Sequence, residues 1–180
     1  LSTRGLDILA VDDRPGPEAR SCAERLSVEL VDSPNPTSWT GLVERAGEVV
    51  VSPGIPDGHP VFAAAAAAGV PLLDASDLPE RWDARPRCAV TGTNGKTTVV
   101  TLVADMLRRS GLVAVPAGNT DTPLVAAIDA VDADVFVVEA SSFRLGHAAA
   151  FSASPAVWLN FAPDHLDVHA DLAVYEEAKA

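Results

Sequence analysis

One stretch, AVTGTNGKTTVV over Ala89–Val100, constrains the fold of this chain more than any other. A short apolar run leads into a glycine-rich turn, which leads through Lys96 and Thr97 into a second apolar run. A strand that turns into a helix in this way points backbone N–H groups at an anion, beside the positive end of the helix dipole. The stretch therefore predicts a phosphate-binding loop. Its expected residues are Gly92, Thr93, Asn94, Gly95, Lys96, Thr97 and Thr98.

The loop is a variant of the common pattern GxxxxGK[ST], because Val90 stands where that pattern begins with a glycine. The Lys96 side chain can reach the outer phosphates of a nucleotide, and the Thr97 hydroxyl can bind Mg²⁺. An ordinary glycine turn between a strand and a helix is the alternative. That alternative explains neither Lys96 nor the threonine pair.

Short β-branched runs alternate with alanine-rich or amphipathic segments, which is typical of βαβ units with mostly parallel strands. Helices are predicted over Thr97–Arg109 and over Phe62–Gly69, where alanine favours the helix and Gly69 ends it. The predicted buried strands are residues 6–11, 48–52, 70–73, 88–91, 134–138 and 156–160. The expected fold class is α/β.

The segment Asp74–Arg87 interrupts this alternation with prolines, a tryptophan and several charges, so we place a domain boundary near Ala84. We expect a Rossmann-like N-terminal domain over residues 1–84 and a P-loop-type doubly wound central domain over residues 85–180. The chain opens on what resembles a helix end followed by a second strand, and it closes on a helix without a cap. Both domains are therefore expected to be incomplete.

Composition excludes several classes of protein. With 180 residues, 48% of them apolar, the chain can bury an ordinary core. Its net charge of −12 argues against a surface that attracts nucleic acid or anionic lipid. Cys22 and Cys88 lack metal-ligand spacing, and the apolar-rich tract Val61–Leu73 is too short to span a bilayer. We expect a cytoplasmic monomer that inserts into no membrane and binds no nucleic acid.

In two further segments, acidic side chains lie at or just after the end of a predicted strand. The stretch VVEASSF, Val137–Phe143, ends a predicted strand on Glu139, which would face the loop and could hold a metal ion. A solvated glutamate is the alternative there. The stretch NFAPDHLDVH follows another strand, and its acids and histidines suggest the metal cluster of a hydrolase as a rival interpretation. The members of that cluster would be Asp164, His165, Asp167 and His169.

The segments TGTNGKTT, GNTDTPL, EASSF, DHLDVH and YEEAK, in this order, resemble the Mur ligase family. The resemblance extends to the N-terminal half through VVVSPGIPDGHPVFAAAAAAGVPLL. Phe143 makes the chain most similar to members that add D-glutamate to UDP-N-acetylmuramoyl-L-alanine, since members adding the third residue typically have histidine there. The chain departs from the usual family pattern at Thr120, Asp121 and Pro163.

The resemblance implies ATP-driven amide formation through an acyl phosphate in peptidoglycan synthesis, with ATP and Mg²⁺ as cofactors. It implies catalytic roles for Lys96, His165 and Lys179. The implied metal-site residues are Thr97, Glu139, His165 and Lys179. The implied substrate-binding residues are Asp12, Asp13, Arg14, Ser52, Pro53, Gly54, Asn119, Ser141 and His165.

Lys179 matches the lysine that is carbamylated in this family, and a carbamate would be an anionic ligand for Mg²⁺ where an ammonium repels it. Without the family, Lys179 would be interpreted as a solvated helix lysine. The chain alone is expected to be inactive. The remaining alternatives are a sister Mur ligase, a folylpolyglutamate-type ligase, or a non-catalytic module that binds a UDP-sugar.

Overall fold

The computed structural model describes residues 4–53, 55–56, 58–130, 132–146, 148–166 and 168–180. The chain forms two compact units, Leu1–Val49 with Asp57–Leu72 and Val50–Pro56 with Leu73–Ala180. Strands alternate with helices, and each strand pair with an assigned register is parallel. The predicted α/β fold is therefore confirmed, while the domain boundary near Ala84 stays a prediction.

The first unit is built on a parallel strand pair joined by a helical crossover. Leu9 lies beside Glu29 and Asp12 beside Asp32, because α1 carries the chain back to the start of the sheet. Its elements are β1 (Leu9–Asp12), α1 (Pro17–Leu26), β2 (Glu29–Asp32), α2 (Trp39–Glu44) and α3 (Pro60–Ala68). Two short strands with most of their residues in the second unit, β3 (Val49–Val51) and β4 (Leu72–Asp74), pair with each other.

The second unit holds a four-stranded sheet in the order β6-β7-β5-β8. Its strands are β5 (Arg87–Thr91), β6 (Ala114–Gly118), β7 (Val135–Glu139) and β8 (Ala156–Trp158). Its helices are α4 (Lys96–Arg109), α5 (Leu124–Ala130), α6 (Ser142–Leu145) and α7 (Leu172–Glu177). None of the helices in the described parts of the chain is long and apolar enough to cross a membrane.

The central strand β7 is buried on both sides, and its side chains alternate between two hydrophobic clusters. Val135 and Val137 pack in one cluster with residues of α4, whereas Phe136 and Val138 pack in the other with residues of α5. A sheet covered by helices on both faces is what a doubly wound domain requires. This packing places the ends of β5 and β7 side by side, with Val90 opposite Glu139.

Two strands were absent from the sequence-based prediction, and two strands that were predicted to be buried are not, since β1 is half-buried and β8 is exposed. The segment of β2, ELVD, has only two apolar residues, and β6 contains Pro116, which favours a sheet edge. The strand β8 was expected to be buried, but all of its residues are exposed. The strand order explains the difference, since β8 lies at the edge of the four-stranded sheet.

A buried acidic turn follows β4. The Asp77 carboxylate accepts N–H groups from Ala149, Ala150 and Phe151 at 3.2, 2.8 and 3.1 Å. Asp74 is completely buried, and its Oδ1 accepts the Ser76 N–H at 2.7 Å. Its Oδ2 has no hydrogen-bond partner among the described residues. Burial raises the pKa of Asp74, and the nearby charge of Asp77 raises it further.

We expect Asp74→Asn to raise the melting temperature near pH 7.5 by about 2–4 °C, or ~1 kcal/mol for a chain of this size. The pKa of Asp74 is higher in the folded chain than in the unfolded one, so its ionisation destabilises the fold as pH rises through the folded pKa. The asparagine keeps the oxygen that accepts the Ser76 N–H. The gain in melting temperature should shrink near pH 4.5, because a larger share of the Asp74 carboxyl groups in the folded wild type is protonated there than at pH 7.5.

Thermal unfolding followed by circular dichroism at both pH values tests this expectation. Asp77→Asn is the matched control, and it should destabilise the chain at both pH values because that carboxylate accepts several backbone N–H groups. A gain of the same size at both pH values for Asp74→Asn would contradict the assigned pKa shift.

Candidate phosphate-binding site

The predicted strand, turn and helix are present around Lys96. The strand β5 ends at Thr91, and α4 begins at Lys96. Gly95, just before the helix, has a φ of +84°, which side chains other than that of glycine rarely adopt. Thr93 is buried, while Asn94 is exposed. The start of α4 is thus held at the C-terminal edge of the sheet, where doubly wound folds bind their ligands.

The Lys96 side chain folds back over the loop. Its Nζ donates hydrogen bonds to the carbonyl oxygens of Gly92 at 2.9 Å and Thr93 at 2.8 Å. These bonds hold the ammonium group above the turn, where it can exchange carbonyl partners for phosphate oxygens. The geometry is therefore suited to a loop that binds an anion between backbone N–H groups and one cation.

Glu139 joins the loop to two neighbouring segments. Its Oε2 accepts the Thr97 hydroxyl at 2.7 Å, and its Oε1 accepts Nδ2 of Asn119 at 3.2 Å. Glu139 is only 3% exposed, which excludes the alternative of a solvated glutamate at a strand end. Gly118 makes this arrangement possible, because a Cβ at its φ of +102° would overlap the backbone of Glu139.

The oxygen atoms of Thr97 and Glu139 are of the type that Mg²⁺ prefers. Within the described residues, no group of three or more His, Cys, Asp or Glu side chains could hold a metal ion. Magnesium commonly binds through one or two protein oxygens and takes its other ligands from phosphates and water. The Thr97–Glu139 pair fits that mode better than it fits a closed protein cage.

Both histidines predicted for a metal cluster lie against the Phe143 ring, and His165 also lies near Asp164, another predicted member of that cluster. The His165 ring lies 4.7 Å from the Phe143 ring, and its Nε2 lies 3.5 Å from Oδ2 of Asp164. The His169 ring stacks on Phe143, and its Nε2 lies 2.9 Å from the Ser142 hydroxyl. The fourth predicted member, residue 167, lies outside the described residues.

Lys179 is 7% exposed, which excludes the alternative of a solvated helix lysine. Its Nζ donates to the Gly92 carbonyl oxygen at 3.2 Å and lies 4.7 Å from the centre of the Tyr175 ring. Burial lowers the pKa of Lys179 to about 8, and the charge of Lys96 contributes to the shift. A neutral amine is therefore more accessible at this position than at an ordinary lysine.

The residues predicted to bind substrate are distributed over both units. In the first unit, the Arg14 N–H donates to Oδ1 of Asp12 at 2.8 Å, and Oδ2 of Asp13 lies 2.9 Å from Nε2 of His59. In the second unit, Ser141 is buried, and its hydroxyl has no hydrogen-bond partner among the described residues.

Ser52 and Pro53 belong to the second unit and line a cavity of about 240 Å³. Glu139, Gly118 and Arg144 line the same cavity. Two predicted substrate residues therefore lie in one cavity with the acid that contacts Thr97. Gly54, predicted beside them, lies outside the described residues.

Sequence reasoning missed two residues of this site. The side-chain amide of Asn160 pairs with the backbone of Asn94, and the hydroxyl of the fully buried Tyr175 lies 3.2 Å from the Thr93 hydroxyl. Asn160 follows β8, so the rule that strand ends line the site could have indicated it. Tyr175 lies in the segment YEEAK, which shows no local sign of a contact with the loop.

Comparison with known proteins agrees with this geometry. Residues 90–180 match the model of the Mur ligase middle domain. A UDP-N-acetylmuramoylalanine--D-glutamate ligase of Thermus thermophilus is 40% identical over 179 residues, which are 99% of this chain and 40% of that protein. The protein of the same name from Desulfotalea psychrophila is 46% identical over 139 residues, which are 77% of this chain and 30% of that protein.

Among solved structures, the UDP-N-acetylmuramate:L-alanyl-gamma-D-glutamyl-meso-diaminopimelate ligase of Neisseria meningitides shares the fold, with a TM-score of 0.61 at 20% identity. That alignment covers 98% of this chain and 59% of the other. The chain spans about two fifths of the length of the Thermus relative. The matched middle domain accounts for just over half of the chain and includes Lys96, Thr97 and Glu139. The resemblance found in the sequence is confirmed, and the chain belongs to the Mur ligase family.

Proposed function

We propose that the protein carrying this chain joins D-glutamate to UDP-N-acetylmuramoyl-L-alanine by ATP-dependent amide formation in peptidoglycan synthesis. One observation carries the proposal: the Lys96 side chain contacts the loop backbone, and the Glu139 carboxylate accepts the hydroxyl of the neighbouring Thr97. The names of the relatives from Thermus and Desulfotalea support the choice of substrates. Since those relatives are much longer, the reaction is proposed for the full-length protein and not for these 180 residues alone.

In this proposal the loop binds the ATP phosphates. Backbone N–H groups at the start of α4 contact phosphate oxygens, and Lys96 transfers its hydrogen bonds from the loop carbonyls to the outer phosphates. The neighbouring Thr98 and the rest of residues 92–98 complete the loop. Lys96 thereby offsets the negative charge that develops as the terminal phosphoryl group is transferred.

Thr97 and Glu139 would hold Mg²⁺, with His165 and Lys179 proposed as further members of the metal site. When bound, the ion neutralises phosphate charge and orients the phosphoryl group for transfer. Glu139 accepts hydrogen bonds from both Thr97 and Asn119, so its carboxylate is already oriented before any ion binds. Such orientation lowers the conformational entropy that is lost when the ion and the phosphates bind.

The proposed chemistry needs activation because a carboxylate is a poor acyl donor. The carboxylate of the L-alanyl group attacks the γ-phosphorus, ADP leaves, and an acyl phosphate forms. The amine of D-glutamate then attacks the acyl carbon, and inorganic phosphate leaves. Asn119, Ser141 and His165 are proposed to line the reacting substrate, and the buried, unpartnered Ser141 hydroxyl supports this role.

Recognition of the uridine end is proposed for two sets of residues. One set is Asp12, the last residue of β1, with Asp13 and Arg14 after it, and the other set is Ser52, Pro53 and Gly54. The Asp12 carboxylate already accepts the Arg14 N–H, which fixes the turn. The proposal places the reaction in the cytoplasm, where ATP is available, with the protein acting as a monomer.

Release of ADP by the full-length protein tests the proposal. We expect steady-state ADP release to require both UDP-N-acetylmuramoyl-L-alanine and D-glutamate, together with Mg²⁺, and we expect one amide product per ADP. Turnover with another amino acid in place of D-glutamate would instead indicate a sister ligase. Binding of the UDP-sugar without any ADP release would indicate a non-catalytic binding module.

A further inference from the structure

We propose that Asn160 is a positioning residue for phosphate binding, and that its side-chain amide holds the Asn94 peptide of the loop in one orientation. The inference rests on the proposed function, because it assigns Asn160 to the loop that binds ATP there. The two residues are 66 positions apart in the sequence and meet through side chain and backbone.

The contact has two hydrogen bonds of opposite direction. The Asn94 N–H donates to Oδ1 of Asn160 at 2.9 Å, and Nδ2 of Asn160 donates to the Asn94 carbonyl oxygen at 3.0 Å. Rotating the amide by half a turn would set oxygen against oxygen and nitrogen against nitrogen, so only one orientation satisfies both bonds. A single side chain thus satisfies both backbone groups of Asn94.

The segment that carries Asn160 is itself fixed to the loop. The Asn160 carbonyl oxygen accepts the Thr93 N–H at 3.2 Å and the indole N–H of Trp158 at 3.0 Å. The Thr93 hydroxyl lies 3.0 Å from the Ala162 nitrogen and 3.2 Å from the Ala162 oxygen. Since β8 pairs with β5, with Trp158 opposite Thr91, the sheet brings Asn160 beside the loop.

The planarity of the peptide bond transmits this contact to Gly95. The Asn94 carbonyl and the Gly95 N–H belong to one trans peptide unit and point in opposite directions. The bond from Asn160 to the Asn94 oxygen therefore directs the Gly95 N–H away from Asn160. Glycine tolerates either orientation of the peptide before it, so Gly95 alone leaves this choice open.

The contact also separates the backbone N–H groups of the loop into one that binds Asn160 and others that remain for phosphate. The Asn94 N–H is engaged by Asn160 and does not contribute to phosphate binding. The donors for phosphate therefore begin at Gly95 and continue into the start of α4. Holding these donors in place before the ligand arrives removes an ordering cost that would otherwise weaken binding.

Calorimetry with Mg·ATP on the full-length protein, comparing the wild type with Asn160→Ala and Asn160→Asp, tests the inference. We expect the dissociation constant to rise about tenfold for alanine, as for loss of a pair of ordinary hydrogen bonds. Aspartate should weaken binding further, because it can accept the Asn94 N–H but has no donor for the Asn94 oxygen and adds a negative charge. Trp158→Phe is the matched control, since it removes a bond to the Asn160 backbone and leaves the amide contact intact.

Two further measurements separate positioning from a general loss of structure. In steady-state assays, Asn160→Ala should raise the KM for ATP while kcat and the KM for the UDP substrate stay within about twofold of the wild type. The amide resonance of Gly95 should shift in Asn160→Ala and not in Trp158→Phe. Equal Mg·ATP affinities in the wild type and both Asn160 variants would overturn the positioning role while leaving the proposed ligase standing. Failure of the wild type to bind Mg·ATP would overturn both.

Discussion

Replacing Lys96 by alanine should weaken the binding of a non-hydrolysable ATP analogue with Mg²⁺ by about tenfold or more, as for loss of charge-assisted hydrogen bonds. The Nζ of Lys96 lies directly over the loop, within 2.9 Å of two of its carbonyl oxygens. The net charge of −12 gives the chain a field that opposes polyphosphate, so a local cation matters more here than in a basic protein.

Calorimetry on this chain and on the full-length protein measures the effect. The fold should survive the substitution, because Lys96 is only partly buried and alanine favours a helix. Arg109→Ala is the matched control: it removes the same charge from the last residue of α4, where the side chain is 79% exposed. Equal affinity of the wild type and Lys96→Ala would show that the loop has been assigned wrongly.

The parts of the site that local sequence signals specify were predictable. A glycine pair, a lysine and two threonines between apolar runs predicted a strand, a turn and a helix, and the structure has all three. The position of Glu139 at the C-terminal end of a buried strand predicted that it would face the loop, and it accepts the Thr97 hydroxyl. Both inferences need only short segments and the rule that parallel strands end at one edge of a sheet.

The parts that depend on distant contacts were not predictable. Asn160 meets Asn94 only because β8 pairs with β5, and the sequence does not specify which strands are neighbours. Because the strand order was unknown, β8 was also expected to be buried, and an apolar run carries no sign that it lies at a sheet edge. Lys179 contacts the Gly92 oxygen across 87 residues, and only the family resemblance indicated a function for it.

The structure gives Lys179 properties that suit carbamate formation. The reaction requires a neutral amine, which adds to CO₂ and loses one proton. With its pKa lowered to about 8 by burial, a much larger share of the amine is neutral near pH 7.5 than for an ordinary lysine. The Lys179 side chain is also held beside the loop by its bond to the Gly92 carbonyl oxygen, which the Lys96 side chain contacts as well.

We therefore expect Lys179→Ala to abolish ligation in the full-length protein, because the variant loses the proposed anionic oxygen ligand near the γ-phosphate. A small added carboxylate, formate or acetate, should restore part of the activity by occupying the vacated position. Glu176→Ala and Glu177→Ala, at the end of the helix that precedes Lys179, are the matched controls, and since both side chains are exposed, they should leave turnover within about twofold of the wild type. The measurement is ADP release with and without the added carboxylate. Turnover at the wild-type rate in Lys179→Ala would remove the carbamate role, and loss of activity without any rescue would indicate that the buried amine itself, held between Gly92 and Tyr175, is what the reaction requires.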